Sequence, residues 1–152
     1  MSHKGIVQLI EDTAKSLADD MQFSYGRGSD VNMLRDKRYP FVSLDPLRSS
    51  AEYAVDSTQN YSKTWTINMA FYFLDSTDST QDQYKNLLDE ADDLVDKFIN
   101  KLNFYSLKAD TIIISGISQE PVIKVMADVI TGYILSFNIQ TTDDFNYCGY
   151  DC

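Results

Sequence analysis

The side chains best suited to chemistry in this sequence are Asp89, Asp93 and Asp96, which follow one another at intervals of three to four residues. At this spacing the three carboxylates share one face of a helix. Grouped carboxylates can bind Mg²⁺ or Ca²⁺, or act as the acid and base of a glycosidase. The apolar residues of the same stretch fall on the opposite face, and the ligand order of a calcium-binding loop is missing from the sequence. We therefore expect a solvated acidic face rather than a metal site.

Other signatures of catalysis are also missing from the sequence. His3 is the only histidine, and it stands in a terminus that we expect to be mobile. Gly26 and Gly28 follow a predicted helix and lack the further residues of a dinucleotide or phosphate loop. Cys148 and Cys152 have no additional ligands for zinc, so we interpret them as free thiols. We predict a protein that is not an enzyme and carries no metal or cofactor, with a carboxylate-dependent hydrolase kept as an alternative.

The acidic face belongs to an amphipathic helix predicted over 80–102. Thr80 and Gln83 form a capping box at its start. The apolar residues at helical spacing are Leu87, Leu88, Ala91, Leu94, Val95, Phe98, Ile99 and Leu102. Ordering such a segment costs more than its own apolar burial returns, so the helix must dock on another apolar surface.

The flanking sequence predicts a sheet that supplies this surface. Residues 63–74 alternate, and the apolar face that we expect against the helix holds Trp65, Ile67, Met69, Phe71 and Phe73. A short strand is predicted over 39–44. Pro40 cannot donate a backbone hydrogen bond, so it must lie at the start of the strand, or the strand must lie at a sheet edge. Further extended segments are predicted at 49–56, at 111–115 and 121–126 on either side of Gly116, and at 133–140.

The order of these elements predicts one α+β domain over residues 1–152, with a mainly antiparallel sheet and two amphipathic helices packed on it. The first helix is predicted from the start of the chain to about residue 22. A length of 152 residues, 43% of them hydrophobic, suits a single globular domain. No apolar run approaches a membrane span and no signal-like start is present, so we expect synthesis in the cytoplasm and no membrane partner.

Charge is distributed unevenly along this acidic chain, whose formal net charge is −10. Eight acids but only one base lie within 75–96, whereas the predicted loop over 24–38 carries Arg27, Arg35, Lys37 and Arg38. The terminal segment 143–152 carries the aromatic residues Phe145, Tyr147 and Tyr150. Aromatic residues and arginine are enriched where proteins meet. We predict that the loop and the terminal segment are contact elements, mobile in the free subunit and ordered in an assembly.

The chain resembles the tail-completion and head–tail connector proteins of tailed bacteriophages. The resemblance is carried by the first helix, the strand Tyr39-Pro40-Phe41-Val42 after a loop, the long strand from Trp65 to Phe73, and the acidic helix. It is also carried by Thr131-Gly132-Tyr133 before the last strand and by the terminal Asp144-Phe145-Asn146-Tyr147-Cys148. The low histidine content and the many Asn and Tyr residues are similar to those of structural proteins from phages of Bacteroidales, including crAss-like phages.

The resemblance implies a tail-terminator-like fold and a structural virion protein without catalytic residues. Such proteins form rings of six or twelve identical subunits at the head–tail junction, contact the portal and neighbouring tail proteins, and leave a channel for DNA. In such a ring we expect the basic loop of one subunit to meet the acidic face of Asp89, Asp93 and Asp96 on the next. The residues of this chain alone also allow an acidic protein-binding module that mimics DNA phosphates. Such a module would stay a monomer or dimer and bind a basic partner in a salt-sensitive way.

Overall fold

Two helices pack on one six-stranded sheet in the computed structural model, which describes residues 3–26, 40–53, 61–109, 112–125 and 129–143. The helices are α1 (His3–Lys15) and α2 (Gln81–Ala109). The strands are β1 (Gln22–Tyr25), β2 (Phe41–Leu44), β3 (Arg48–Tyr53), β4 (Tyr61–Leu74), β5 (Ile112–Val125) and β6 (Ile130–Asp143). The predicted α+β fold with a mainly antiparallel sheet and two packed helices is confirmed.

The long strands β4 and β6 form the centre of the sheet, and they pair along their full length from Tyr61 opposite Asp143 to Leu74 opposite Ile130. The strand order is β1-β2-β4-β6-β5, and β3 pairs with the first half of β4 where β2 does not reach. Every pairing is antiparallel except that of β1 with β2. Strand β5 therefore forms one edge of the sheet.

One face of β4 and β6 carries the main core, and both helices cover it. The Phe98 ring of α2 lies against Phe71 of β4 and Phe137 of β6, with centroid distances of 5.6 and 6.1 Å. Ile6 and Ile10 of α1 are fully buried in the same cluster. The prediction that the apolar face of 63–74 packs against the acidic helix is confirmed.

The opposite face of the sheet carries a smaller apolar cluster, formed by Phe41, Ala70, Tyr72 and Ile130. Gly132 lies in β6 between this part of β4 and β5, and a Cβ at this position would come within 1.8 Å of the Phe71 carbonyl oxygen. A side chain at position 132 is therefore excluded.

The start of α2 confirms the predicted capping box. The backbone N–H of Thr80 donates to Gln83 Oε1 at 2.8 Å, and the Gln83 N–H donates to Thr80 Oγ1 at 3.4 Å. The predicted end at residue 102 is too early, since α2 continues to Ala109. Residues 103–109 contain neither glycine nor proline, so nothing in them stops the helix.

The first helix is shorter than predicted. It ends at Lys15, whereas the prediction placed its end near residue 22. The Leu17 N–H bonds to the Ala14 carbonyl, three residues back, which is a tightened last turn. The chain then forms β1, which contains the first two residues of the predicted loop 24–38. Residues 22–25 form a strand because their backbone pairs with β2. A strand formed in this way shows no periodic pattern in its own sequence.

Two predicted strand features are also corrected. Pro40 does stand at a strand start, but β2 lies between β1 and β4, so the alternative of a sheet edge is wrong. Gly116 does not end a strand, because β5 is continuous and its register with β6 shifts between Ser115 and Ser118. Gly116 adopts φ 64°, a conformation that glycine tolerates and that suits a β-bulge.

Candidate interaction surface

The outer face of α2 is the acidic surface that the sequence predicts. Asp89, Asp93 and Asp96 are exposed, whereas Val95 and Phe98 on the other side of the helix are buried. Lys97 Nζ lies 2.8 Å from Asp93 Oδ2, with both side chains more than half exposed. An exposed pair of this kind contributes about 0–1 kcal/mol. The fold thus places the carboxylates where water or a partner can reach them.

Asp92 lies beside this face and increases its charge density. Partial burial raises the pKa of Asp92, and the neighbouring carboxylates of Asp96, Asp89 and Asp93 raise it further. The charges on this face therefore repel one another in the isolated subunit. A cationic partner surface would relieve this repulsion.

The other predicted contact residues fall outside the described part of the chain. These are Arg27, Arg35, Lys37 and Arg38 in the predicted loop, and Phe145, Tyr147 and Tyr150 in the terminal segment. Their roles stay predictions from sequence. Only the acidic half of the predicted charged contact is therefore placed by the structure.

A groove between α1 and the C-terminal part of α2 was not predicted. It has a volume of about 630 Å³ and is lined by Leu9 and Thr13 of α1 and by Lys101, Phe104 and Tyr105 of α2. Phe104 is 62% exposed and Tyr105 is 40% exposed. Lys101 Nζ bridges the two helices by donating to the Ser16 carbonyl and to Ser16 Oγ at 3.0 and 2.9 Å. The lining also includes Asp12, Ser16 and Asn100, so the groove carries a carboxylate as well as an ammonium group.

A signal for this groove was present in the sequence. Tyr105 lies three residues after Leu102 and seven after Phe98, so the apolar spacing of the helix continues beyond residue 102. Ending the predicted helix at residue 102 hid this continuation. The contribution of α1 had no local signal, because its residues lie about 90 positions earlier in the chain.

His3 lies in α1 and contacts residues of the sheet. It is the first residue of α1, and its Nε2 lies 3.0 Å from the Tyr25 hydroxyl oxygen. Its ring also lies 5.9 Å from that of Trp65, over which Lys63 Nζ stands at 4.3 Å. The contacts of His3 join α1 to the sheet.

A small cavity lies on the face of the sheet away from the helices. It has a volume of about 120 Å³, and its lining includes Ser43, Asp45, Asn68 and Tyr72. Burial raises the pKa of Tyr72, the negative charge of Asp45 raises it further, and a hydrogen bond with Ser43 acts in the opposite direction. Burial likewise raises the pKa of Asp45. This cavity has room for little more than solvent.

A polar cluster connects Asp75, which follows β4, to the adjoining ends of β5 and β6. Thr131 Oγ1 donates to Asp75 Oδ2 at 2.5 Å and accepts from the Lys124 N–H at 3.1 Å. Burial acts to raise the pKa of Asp75, but hydrogen bonds from Thr131 and the Ser76 N–H outweigh it and lower that pKa. These groups satisfy one another, which gives the cluster a structural role.

Within the described ranges, no group of three or more His, Cys, Asp or Glu side chains is placed to hold a metal ion. Neither helix in the described part of the chain is long and apolar enough to cross a membrane. No protein-family model matches this chain. The comparison with curated proteins likewise finds no match.

Proposed function

We propose that this chain is a structural virion protein that forms a ring at the head–tail junction of a tailed phage. In this proposal six or twelve copies assemble in the host cytoplasm and join the portal to neighbouring tail or connector proteins. DNA passes through the channel without sequence-specific contacts, and no membrane or cofactor takes part. The protein performs no catalysis.

The observation that carries the proposal is the arrangement of α2. Its apolar face completes the core of a single subunit, and its opposite face presents Asp89, Asp93 and Asp96 to solvent. Folding does not require three aspartates on that face, and the repulsion between their carboxylates destabilises the helix. Their concentration there is therefore better explained by a partner than by the stability of the domain.

The order of the elements also supports the proposal. The phage connector resemblance rests on a first helix, a short strand after a loop, a long strand, an acidic helix and a closing strand. The corresponding elements of the structure are α1, β2, β4, α2 and β6.

A ring needs a heterologous contact, in which one surface of each subunit meets a different surface of the next. The acidic face of α2 provides one such surface, and the basic residues of 27–38 provide a complementary one. Complementary charge fixes orientation and suppresses wrong pairings more than it adds affinity. Repetition around a closed ring makes such individually weak contacts effective.

Native mass spectrometry and negative-stain microscopy test the proposal directly. The purified chain is measured alone over a range of concentrations and then mixed with the portal protein from the same genome. We expect closed rings of six or twelve subunits, either alone or on the portal. A protein that stays monomeric or dimeric under both conditions would contradict the proposal.

An acidic binding module is the second candidate, and the exposure of Asp89, Asp93 and Asp96 on one face of α2 favours it, because such a face can attract a basic partner. A DNA-mimicking module would bind a basic host protein as a monomer or dimer. Its binding would weaken steeply with salt. Capture of a basic protein by a monomer, with no ring in the portal mixture, would favour this candidate.

A further inference from the structure

Trp65, the only tryptophan of the chain, carries a buried N–H donor that has no acceptor. The residue is 3% exposed, and its Nε1 forms no hydrogen bond with the part of the chain that the structure describes. Nearly all buried donors in folded proteins bond to protein, to ordered water or to a ligand. We therefore expect an acceptor for this N–H from outside the described residues.

A second donor stands beside Trp65. Lys63 lies two residues earlier on β4, so the two side chains project from the same face of the strand. Lys63 Nζ is 4.3 Å from the centre of the Trp65 ring. Among the side chains that the structure describes, no acid forms a salt bridge with Lys63. One small ligand can therefore accept from both the ammonium group and the indole N–H.

The surroundings of these two donors favour negative charge. The residues paired with Lys63 and Trp65 on the neighbouring strands are all uncharged: Ser49, Ala51, Ile139 and Thr141. His3 is the first residue of α1, and its ring lies 5.9 Å from that of Trp65. The positive end of the α1 dipole therefore points toward the same place. In a chain with a net charge of −10, this is a locally cationic site.

The number and charge of the donors fit a carboxylate. A carboxylate has two oxygens, so one accepts from the indole N–H while the other accepts from the ammonium group. Its single negative charge balances that of Lys63. A phosphate carries three acceptor oxygens and a charge of about −1.5 to −2 at neutral pH. Two donors would leave part of that charge unpaired, which makes its partial burial unfavourable.

We propose that Trp65 Nε1 and Lys63 Nζ bind a carboxylate beside the N-terminal end of α1. The ligand enters past His3, which is exposed, and Lys63, which is half-buried. Exposed side chains change rotamer within nanoseconds, so such a change gives the ligand access to the buried N–H. The site lies within one subunit, so the inference goes beyond the proposed ring and does not depend on it.

The indole N–H resonance of Trp65 tests this site, because a chain with one tryptophan gives a single such signal. The full-length ¹⁵N-labelled protein is titrated with sodium acetate, which replaces sodium chloride at an ionic strength of about 0.15 M. We expect a downfield shift of the indole proton that saturates at millimolar acetate, since the N–H then donates to a charged acceptor. Absence of a saturable shift would overturn the inference. Tighter binding of inorganic phosphate than of acetate would also overturn it.

A pair of lysine variants tests the role of the ammonium group. Lys63→Met keeps the apolar stem of the side chain and should weaken acetate binding by about tenfold or more. Lys97→Met is the matched control, because it makes the same change in net charge at an exposed lysine that pairs with Asp93 on α2. The control should bind acetate as the unaltered protein does. Equal affinities in the two variants would contradict the site.

Two measurements without acetate identify the source of the carboxylate. The acids nearest to Lys63 by register are Glu52, opposite Ser62, and Asp143, opposite Tyr61. The indole resonance should stay in place in Glu52→Gln and in Asp143→Asn. A displacement in either would show that the chain's own acid is the acceptor and would overturn the inference. In the unaltered protein, a resonance that shifts with protein concentration assigns the carboxylate to a second copy, whereas a constant one assigns it to a small carboxylic acid.

Discussion

Helix α2 presents two contrasting surfaces, and the contrast separates what holds the domain together from what is available to partners. On the inner face Ala91, Val95, Phe98 and Leu102 are fully buried. On the outer face Asp89, Asp93 and Asp96 are exposed. The inner face is satisfied within one chain, whereas the composition of the outer face is not explained by folding.

The largest effect should come from the inner face. Phe98→Ala removes a fully buried ring that contacts Phe71 and Phe137. We expect a loss of about 3–5 kcal/mol in the free energy of unfolding, since lost transfer energy and a residual cavity add together. Chemical denaturation monitored by circular dichroism measures it. A loss below about 1 kcal/mol would mean that this face of α2 is not the core of the domain.

An intermediate effect of opposite sign is expected from the outer face. Asp92→Asn removes repulsion with Asp96, four residues on, and with Asp89, three residues back. Like-charged helix pairs at such spacings cost about 0.2–0.5 kcal/mol each, so we expect a gain of about 0.4–1 kcal/mol in unfolding free energy at neutral pH. Glu90→Gln is the matched control, because only Asp93 is an acid at such a spacing from it, and it should gain less.

The gain from Asp92→Asn should depend on pH. Burial and repulsion raise the pKa of Asp92 above its ordinary value of 3.8. The folded state then binds more protons than the unfolded state between the two pKa values, so stability falls as pH rises through that window. The variant should therefore be the more stable protein above the window and lose this advantage below pH 3.8. A gain that persists undiminished in acid would show that its cause is not charge.

The smallest effect should come from the groove. Phe104→Ala alters the same residue type as Phe98→Ala on the same helix, but at a position that is 62% exposed. We expect the unfolding free energy of the isolated subunit to change by no more than about 0.5 kcal/mol. Thermal unfolding at low protein concentration measures this change. A loss near that of Phe98→Ala would place Phe104 in the core and remove the contrast within α2.

The parts of the fold that the sequence predicted are those with strong local patterns. The alternation from Trp65 to Phe73 and the helical spacing from Leu87 to Leu102 each repeat over several periods, and the Thr80 capping box marks a helix start. Strand β1 could not be predicted, because it has four residues and forms through parallel pairing with β2. The bulge at Gly116 could not be predicted either, because it is a shift in the register of β5 against its partner strand β6.

The two candidate surfaces differ in the same respect, since one could be predicted from a local pattern and the other could not. The exposed side of Asp89, Asp93 and Asp96 followed from helical spacing alone, because the apolar residues fix which face is buried. The groove depends on two helices that are remote in sequence and are joined where Lys101 donates to Ser16. No local pattern in either helix indicates the angle at which they meet. Only their packing on the common sheet determines the groove.

The central claim is that the acidic face of α2 closes a ring by meeting the basic residues of the neighbouring subunit. A charge swap followed by sedimentation velocity tests it most directly. Arg35→Glu with Lys37→Glu should abolish rings, because it places negative charge against Asp89 and Asp93. Adding Asp89→Lys with Asp93→Lys in the same chain should restore them. If the first pair leaves ring formation unchanged from low salt up to 1 M, where the screening length is about 3 Å, closure by these charges is contradicted.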